Sequence, residues 1–398
     1  MSAHGPTVKQ SPAGFAGIAF LSYGFRPFFL GGALWAIVAM ALWIGILAGR
    51  WQIAASYGPL AWHAHEFLFG YVGAIIAGFL LTAVPNWTGR PPIRGGSLLA
   101  LFLIWLAGRF ALLAADQIGA VFAASIDGLF LPTIALFIAR EIMAGRNWRN
   151  LPPLALVFLF ALANVGFHAE TILARSPSYS LRAAIAIIIG LIMLIGGRIV
   201  PNFTHNWLVR AKAGRLPAPF GRFDKLSILF AAAALVAWVA LPTSTVTGAI
   251  FLLAGLLQML RLWRWAGLSA RLEPLVFVLH LGYAFVPVGF LVVGASIFWP
   301  EVIAPSQALH AWTAGAMAVM TLAVMTRATR GHTGRELTAG TMTQFIYAAA
   351  ALAAVLRLAP FAWGSSAILI GISAAAWIAA FGAFVLSYGP MLLRQRVA

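Results

Sequence analysis

The chain has 398 residues, of which 62 % are hydrophobic and only 9 % are charged, against about 45–50 % and about 25 % in soluble domains. So few charges cannot cover a water-facing surface, and the absence of cysteine excludes disulfides, iron–sulfur clusters and covalent haem attachment. The net charge of +17 comes from basic residues scattered in short loops, so we expect the lipid bilayer as a partner and no nucleic acid.

Twelve apolar stretches are each long enough to cross a bilayer, which needs about 20 residues. In chain order they are 27–48, 63–86, 96–115, 118–140, 151–172, 181–203, 225–241, 246–265, 274–298, 304–327, 341–358 and 366–388. The sequence therefore predicts an all-α polytopic membrane protein with one twelve-helix domain at 27–388. An N-terminal segment at 1–26 and a tail at 389–398 flank it, and the first stretch is interpreted as a retained helix because it lacks a clear cleavage site.

Lysine and arginine are divided unequally between the two sides of the predicted bundle. When basic residues at a span end are counted with the adjacent connection, twenty of the 26 belong to the N-terminal segment, the even-numbered connections and the tail. Only four lie in the odd-numbered connections: Arg50, Arg175, Arg182 and Arg357. By the positive-inside rule, this asymmetry predicts that both termini are cytoplasmic.

Short motifs recur along the chain at matching positions in the predicted spans. His65 in the second span and Thr88 just after it recur 245 residues later as His310 and Thr333, at the tenth span. The second, sixth and tenth spans recur at intervals of four helices. This spacing suggests three pseudo-repeats of four helices.

A proline–asparagine pair closes two of these spans in the prediction. Pro85–Asn86 ends the second span, and Pro201–Asn202 ends the sixth. Proline removes a backbone donor, and the asparagine amide can satisfy freed backbone groups. Both pairs are therefore interpreted as helix stops.

Four of the eight histidines are predicted at one depth beneath the outer face. His63 and His65 begin the second span, His168 lies near the end of the fifth, and His310 lies near the start of the tenth. Ionisable groups inside a membrane are costly, so they are candidates for function. Because imidazole is a common ligand of haem iron and copper, these four residues are predicted to bind a cofactor or metal.

The spacing of the first two histidines limits how they can act. A step of 100° per residue places the rings of His63 and His65 about 200° apart, so they would serve two sites on opposite faces of the span. Arg109 in the third span is expected to neutralise a haem propionate or to pair with Glu66. The alternative is that His63 and His65 are interfacial residues beside Trp62, in contact with lipid headgroups.

Several motifs together resemble the NnrS family. They are Tyr23-Gly24-Phe25-Arg26-Pro27-Phe28-Phe29, Trp62-His63-Ala64-His65-Glu66 with Phe69-Gly70-Tyr71, Pro85-Asn86-Trp87-Thr88-Gly89-Arg90, and Arg198 with Pro201-Asn202-Phe203-Thr204. The resemblance covers essentially the whole chain and implies a twelve-span protein of the bacterial inner membrane that holds haem b and copper. It further implies that the protein binds or processes nitric oxide or related species, in protection against nitrosative stress during denitrification.

The helix plan also resembles that of haem–copper oxidase catalytic subunits, in which one haem lies between the second and tenth helices. By that analogy His65 and His310 would be the axial ligands of one haem, leaving His63 and His168 for a second haem or a copper. The sixth span departs from the oxidase pattern, because residues 181–196 contain no histidine. An oxidase-type binuclear centre is therefore not expected.

Three functions stay open at this point. The chain could be a haem oxidoreductase acting on nitric oxide or its iron complexes, or a haem-based nitric-oxide sensor without turnover. It could instead be a secondary transporter, since Arg109, Asp127 and Arg198 fall inside predicted spans. Transporters usually place their site near the bilayer midplane, whereas these polar groups lie toward the two faces. The electron donor and the oligomeric state are not predicted.

Overall fold

The computed structural model describes residues 17–174, 176–212, 214–359 and 367–397, and these ranges contain no strand. Within them, twelve helices are long and apolar enough to cross a membrane. They are α1 Phe25–Leu47, α2 Pro59–Thr88, α3 Gly96–Leu113, α4 Ala120–Ala144, α5 Trp148–Ala174, α6 Ser178–Ala211, α7 Arg222–Ala240, α8 Thr245–Trp263, α9 Pro274–Phe298, α10 Pro305–His332, α11 Thr341–Leu358 and α12 Ala367–Leu393. The predicted all-α membrane fold is confirmed. Arg175 and the first 16 residues of the predicted N-terminal segment lie outside the described residues.

The twelve helices follow one another around the bundle, and three of them lie at its centre. Each helix contacts the next along the chain, and α12 contacts α1. Three of them, α2, α6 and α10, also meet at the centre, where residues of these helices alone surround a small cavity. The Tyr71 hydroxyl of α2 is hydrogen-bonded to the Thr321 hydroxyl of α10 across this centre.

The same three helices share a further feature, a π-helical segment. It spans Glu66–Val72 in α2, Ile192–Gly196 in α6 and Ala311–Met317 in α10. No other described helix among the twelve contains one. The π-helical segments therefore recur with the four-helix spacing that the sequence motifs suggested.

The ends of α2 and α10 also match. Thr88 and Thr333 each donate a hydroxyl hydrogen bond to the carbonyl four residues earlier, at 2.8 and 2.6 Å. Gly89 and Gly334 follow with φ of +71° and +76°, a left-handed conformation that glycine adopts at little cost and that ends a helix. The 245-residue echo in the sequence thus corresponds to two structurally equivalent helix ends.

One helix stop predicted from the sequence is wrong. α6 continues through Pro201–Asn202 to Ala211, so the predicted span 181–203 is too short. Pro201 lies in the helix interior, shortly after the π-helical segment that already disturbs the regular hydrogen bonding there. Pro85 likewise lies inside α2, but that helix does end three residues later, at Thr88.

Arg26 links the first helix to the twelfth. Its guanidinium is buried and donates hydrogen bonds to the carbonyls of Met391, Leu392 and Arg394, at 3.3, 2.9 and 2.7 Å. The last carbonyls of a helix have no partner within the helix, so Arg26 satisfies groups that would otherwise be unpaired. These contacts also show that the start of α1 and the end of α12 lie at the same end of the bundle, which we call the near end.

Candidate functional site

A large cavity lies at the opposite end of the bundle, which we call the far end. Its volume is about 990 Å³, at the upper limit of the range usual for small-molecule sites. Helices α1, α2, α6, α10 and α12 supply most of its walls, and the odd-numbered connections contribute residues such as Pro177 and Pro242. His63 and His310 both line it.

His63 is held in the cavity wall by aromatic rings. Pro59 begins α2 at the far end, and His63 follows in the first turns. Its ring stacks on Trp43 at a centroid distance of 4.2 Å and also contacts Phe67 at 4.7 Å. The Nδ1 atom is buried and has no hydrogen-bond partner among the described residues. A buried polar atom without a partner requires an explanation, and one explanation is a bound group that the structure does not hold.

His310 lies on the α10 wall of the same cavity. Its Nδ1 atom is 2.9 Å from the carbonyl oxygen of Ser306, which can only accept, so Nδ1 carries the hydrogen. The other ring nitrogen, Nε2, is then left with its lone pair. Hydrogen bonding of one ring nitrogen to a carbonyl is the usual way in which a ligand histidine is oriented for a metal.

The polar groups of this cavity are basic rather than acidic. Arg357 and Arg182 both line it, and no carboxylate occurs among its described lining residues. The Arg182 guanidinium donates to the Val239 carbonyl at 3.1 and 3.2 Å. Arg357 forms no ion pair with a described residue, which leaves its charge available to an anionic ligand group.

A second group of polar residues is buried beside the cavity, between α2, α3, α4 and α5. We call it the ionic cluster; its members are His65, Glu66, Arg109, Asp127, Asn164 and His168, all of them buried. Arg109 bridges the two carboxylates, donating to Glu66 Oε2 at 2.6 Å and to Asp127 Oδ1. His168 Nε2 lies 2.9 Å from Asp127 Oδ2, and Asn164 Nδ2 donates to the same oxygen at 2.9 Å.

His65 occupies an unusual place in the ionic cluster because both of its ring nitrogens face acceptors. Nδ1 lies 3.1 Å from Glu66 Oε1, while Nε2 lies 2.9 Å from Asn164 Oδ1 and 3.2 Å from Asp127 Oδ2. With neutral imidazoles the cluster has two carboxylates and one guanidinium, a net charge of −1. One further positive charge, either a proton on His65 or a bound cation, would balance it.

Nitrogen and oxygen atoms in the ionic cluster are close enough together to hold a metal ion. One ligand atom each from His65, Asp127 and His168 lies within 4.8 Å of the other two. This is the one such group of His, Asp and Glu found in the part of the chain that the structure describes. Two imidazoles with a carboxylate form a donor set that transition metals accept.

The four predicted histidines therefore do not share one site. His63 and His310 line the cavity, whereas His65 and His168 belong to the ionic cluster, so the structure places His65 and His310 in different groups of residues. The physical reason is the helical step, which turns His63 and His65 to different faces of α2. Arg109 pairs with Glu66, one of its two expected roles.

Sequence reasoning missed two contributors to these sites and assigned no site to a third. It identified Asp127 only as an intramembrane charge, and it did not identify Asn164 or Tyr57. Asn164 precedes His168 by four residues on α5, a spacing that places both on one face of the helix and could have identified it.

Tyr57 connects the ionic cluster to the cavity. It lines the cavity, and its hydroxyl lies 2.9 Å from His168 Nδ1. Burial and then the nearby charge of Glu66 raise the pKa of the Tyr57 hydroxyl, so this group stays protonated. Because the Asp127 carboxylate can only accept from Nε2, Nδ1 of a neutral His168 ring is the acceptor of the Tyr57 hydrogen. His168 Nε2 then carries the hydrogen that it donates to Asp127.

The loop that carries Tyr57 is fixed by Asp116, and this contact should respond to pH. The carboxylate accepts the backbone N–H groups of Ala55 and Ser56, each at 2.8 Å. Partial burial acts to raise the pKa of Asp116, but these hydrogen bonds outweigh it and hold the pKa below its ordinary value of 3.8. A lowered folded-state pKa stabilises the loop above pH 3.8 and loses this effect as the pH falls through the lowered pKa.

We therefore expect the amides of Ala55 and Ser56 to be protected from hydrogen exchange at pH 6 and to lose protection in acid. In Asp116→Asn the protection should be weaker at pH 6 and independent of pH between 3 and 6, because an amide side chain has no charge to lose. Equal protection factors in the two proteins at pH 6 would contradict this role for Asp116.

Comparison with known proteins agrees with the resemblance seen in the motifs. No curated protein matches the chain. The family model described as NnrS protein matches residues 19–396, which is nearly the whole chain and includes all twelve helices. The chain therefore belongs to the NnrS family.

Proposed function

We propose that this protein binds haem b in the far-end cavity and uses it to bind or process nitric oxide or species derived from it, in defence against nitrosative stress. The observation that carries the proposal is that His63 and His310, from two different inner helices, line one cavity of about 990 Å³. Membership of the NnrS family supports a membrane protein of the nitric-oxide response.

The residues that line the cavity fit haem in three respects. His63 has a buried, unpartnered Nδ1, and His310 has one nitrogen oriented by the Ser306 carbonyl and the other free. Arg357 supplies an uncompensated positive charge for a propionate, which replaces Arg109 in the role expected from the sequence. Haem bound there would supply an iron that binds nitric oxide and changes its oxidation state by one electron.

We further propose that the ionic cluster holds a copper ion, with His65, His168 and Asp127 as its ligands. Imidazole nitrogen suits copper, and a bound cation would supply the positive charge that the two carboxylates and Arg109 leave uncompensated. Glu66 and Asn164 would then orient the rings of the ligands, as outer hydrogen-bond partners do at metal sites. Tyr57 would separate this ion from the cavity.

The two sites can be tested in one set of purified variants. In His63→Ala and in His310→Ala we expect loss or a clear shift of the haem absorption bands, with copper content unchanged. In His168→Ala we expect loss of copper, with the haem spectrum retained. Each variant serves as the control for the other site, since the ionic cluster and the cavity share no histidine.

Two results would overturn the proposal. Wild-type protein from haem-sufficient cells that is colourless and metal-free would favour the transport function. An unchanged haem spectrum in both His63→Ala and His310→Ala would place the haem elsewhere. If the protein does bind haem, the rate at which it consumes nitric oxide under reducing conditions separates an enzyme from a sensor.

The direction of the protein in the membrane is part of the proposal. The near end carries most of the basic residues, which indicates a cytoplasmic near end and a cavity close to the outer face of the inner membrane. A reporter that is active only in the cytoplasm should then be active when it is fused after residue 397, and a reporter that is active only in the periplasm should be inactive there.

A further inference from the structure

The centre of the bundle contains a second cavity that the proposed haem and copper sites do not use. It has a volume of about 90 Å³ and lies between α2, α6 and α10. All of its described lining residues except Thr321 are apolar or glycine. The Thr321 hydroxyl is already engaged, since it donates to the Ala318 carbonyl at 2.9 Å and is hydrogen-bonded to Tyr71. We call this space the central cavity.

The central cavity coincides with the three π-helical segments. Val72 and Met317, the last residues of the segments in α2 and α10, line it, and so do Ile192, Ile195 and Gly196 of the segment in α6. π-helical segments inside α-helices are rare and are found frequently at functional sites. All three segments therefore contribute residues to the wall of one small cavity.

The central cavity adjoins the larger one at the far end. Val72 and Met317 line both cavities, so the two cavities adjoin at these side chains. Val324, Phe79 and Ile199 line the central cavity without lining the larger one, and each lies further toward the near end along its helix.

We propose that the central cavity is a binding site for a small, uncharged, apolar gas molecule, placed to hold it beside the far-end cavity. An apolar cavity with no free hydrogen-bonding group does not stabilise water, yet it binds apolar guests such as xenon. A space of this size excludes haem, lipid headgroups and solutes with several polar atoms. This inference deepens the proposed function, since nitric oxide belongs to the chemical class that the cavity would admit.

Xenon is a suitable probe because its binding does not depend on haem or on copper. We expect the purified full-length protein to bind xenon at saturable sites, one of which is lost in Val324→Phe, whose larger side chain would fill the central cavity. Val324→Ala is the matched control, since it enlarges the same cavity and should retain this xenon. Binding is measured from the shift of the xenon NMR signal as the protein is titrated.

A second filled variant and a check of folding guard against a loss of xenon binding that is caused by misfolding. Ile192→Phe fills the cavity from α6 instead of α10, and circular dichroism with size-exclusion chromatography establishes which filled variant is folded. Equal xenon binding in wild type and in a folded filled variant would overturn the proposal, as would a lipid acyl chain retained at this position in place of xenon. If the wild-type protein is colourless but Val324→Phe still abolishes binding of this xenon, the gas site is supported and the proposed haem function is not.

Discussion

Replacing Arg109 with Gln is expected to lower the free energy of unfolding by about 3–5 kcal/mol, the range measured when one partner of a buried ion pair is removed. Arg109 is 1 % exposed and contacts both Glu66 and Asp127. Without its charge, two carboxylates would stay buried among the helices α2, α3 and α4 with no guanidinium between them. Thermal unfolding in detergent, followed by tryptophan fluorescence, measures the effect.

A matched control is available in Arg140→Gln. Arg140 also forms an ion pair, at 2.7 Å from Glu141, but it is 66 % exposed. Exposed pairs contribute about 0–1 kcal/mol, so this variant should unfold close to the wild-type temperature. Adding Asp127→Asn to Arg109→Gln should recover part of the loss, because it removes one of the unpaired charges. Equal melting temperatures for Arg109→Gln and Arg140→Gln would show that the ionic cluster contributes nothing to stability.

Substitution of Gly289 with Ala is expected to cost about 1–3 kcal/mol through overpacking. A Cβ atom at this position of α9 would overlap Nε1 of Trp312. The indole ring has no free space into which to move, because it is fully buried, donates to the Val286 carbonyl at 3.0 Å and packs against Phe251 and Phe290. The change should therefore lower the melting temperature.

The control for this prediction is Gly371→Ala in α12, where an added Cβ would have no atom within 4 Å. Since alanine favours a helix over glycine by up to about 1 kcal/mol, this variant should be neutral or slightly more stable. Trp312 follows His310 by two residues, so Gly289→Ala should also disturb the haem spectrum if His310 is a ligand. Unchanged stability in Gly289→Ala would mean that α9 and α10 can separate freely.

Much of the fold could be predicted because hydrophobic length is a local property of the sequence. Each predicted span overlaps one helix of the structure. The largest error is at α6, where Pro201–Asn202 was interpreted as a helix stop although this inner helix continues to Ala211. No local pattern in the sequence predicted the π-helical segments. They coincide with the spans that the repeated motifs singled out, so the repeat carried more information than any single motif.

The sequence predicted how deep in the membrane the site residues lie, but not which of them contact one another. Distance along a span gives the height of a residue in the membrane, and His63, His65, His168 and His310 do lie in the far-end half of the bundle. Which of them meet depends on the rotation of each helix about its axis, which packing determines. Arg357 shows the same limit: its sequence position indicates only a loop charge on one side of the bundle, yet it lines the cavity.

The bond between Arg26 and the Leu392 carbonyl joins residues 366 positions apart. During biosynthesis α1 therefore enters the membrane long before its neighbour α12 exists, and one side of α1 must be covered by lipid or by the insertion machinery until then. Assembly of the twelve-helix bundle is consequently completed only after translation of α12. A chain that stops before that helix would leave the Arg26 guanidinium without its three carbonyl acceptors.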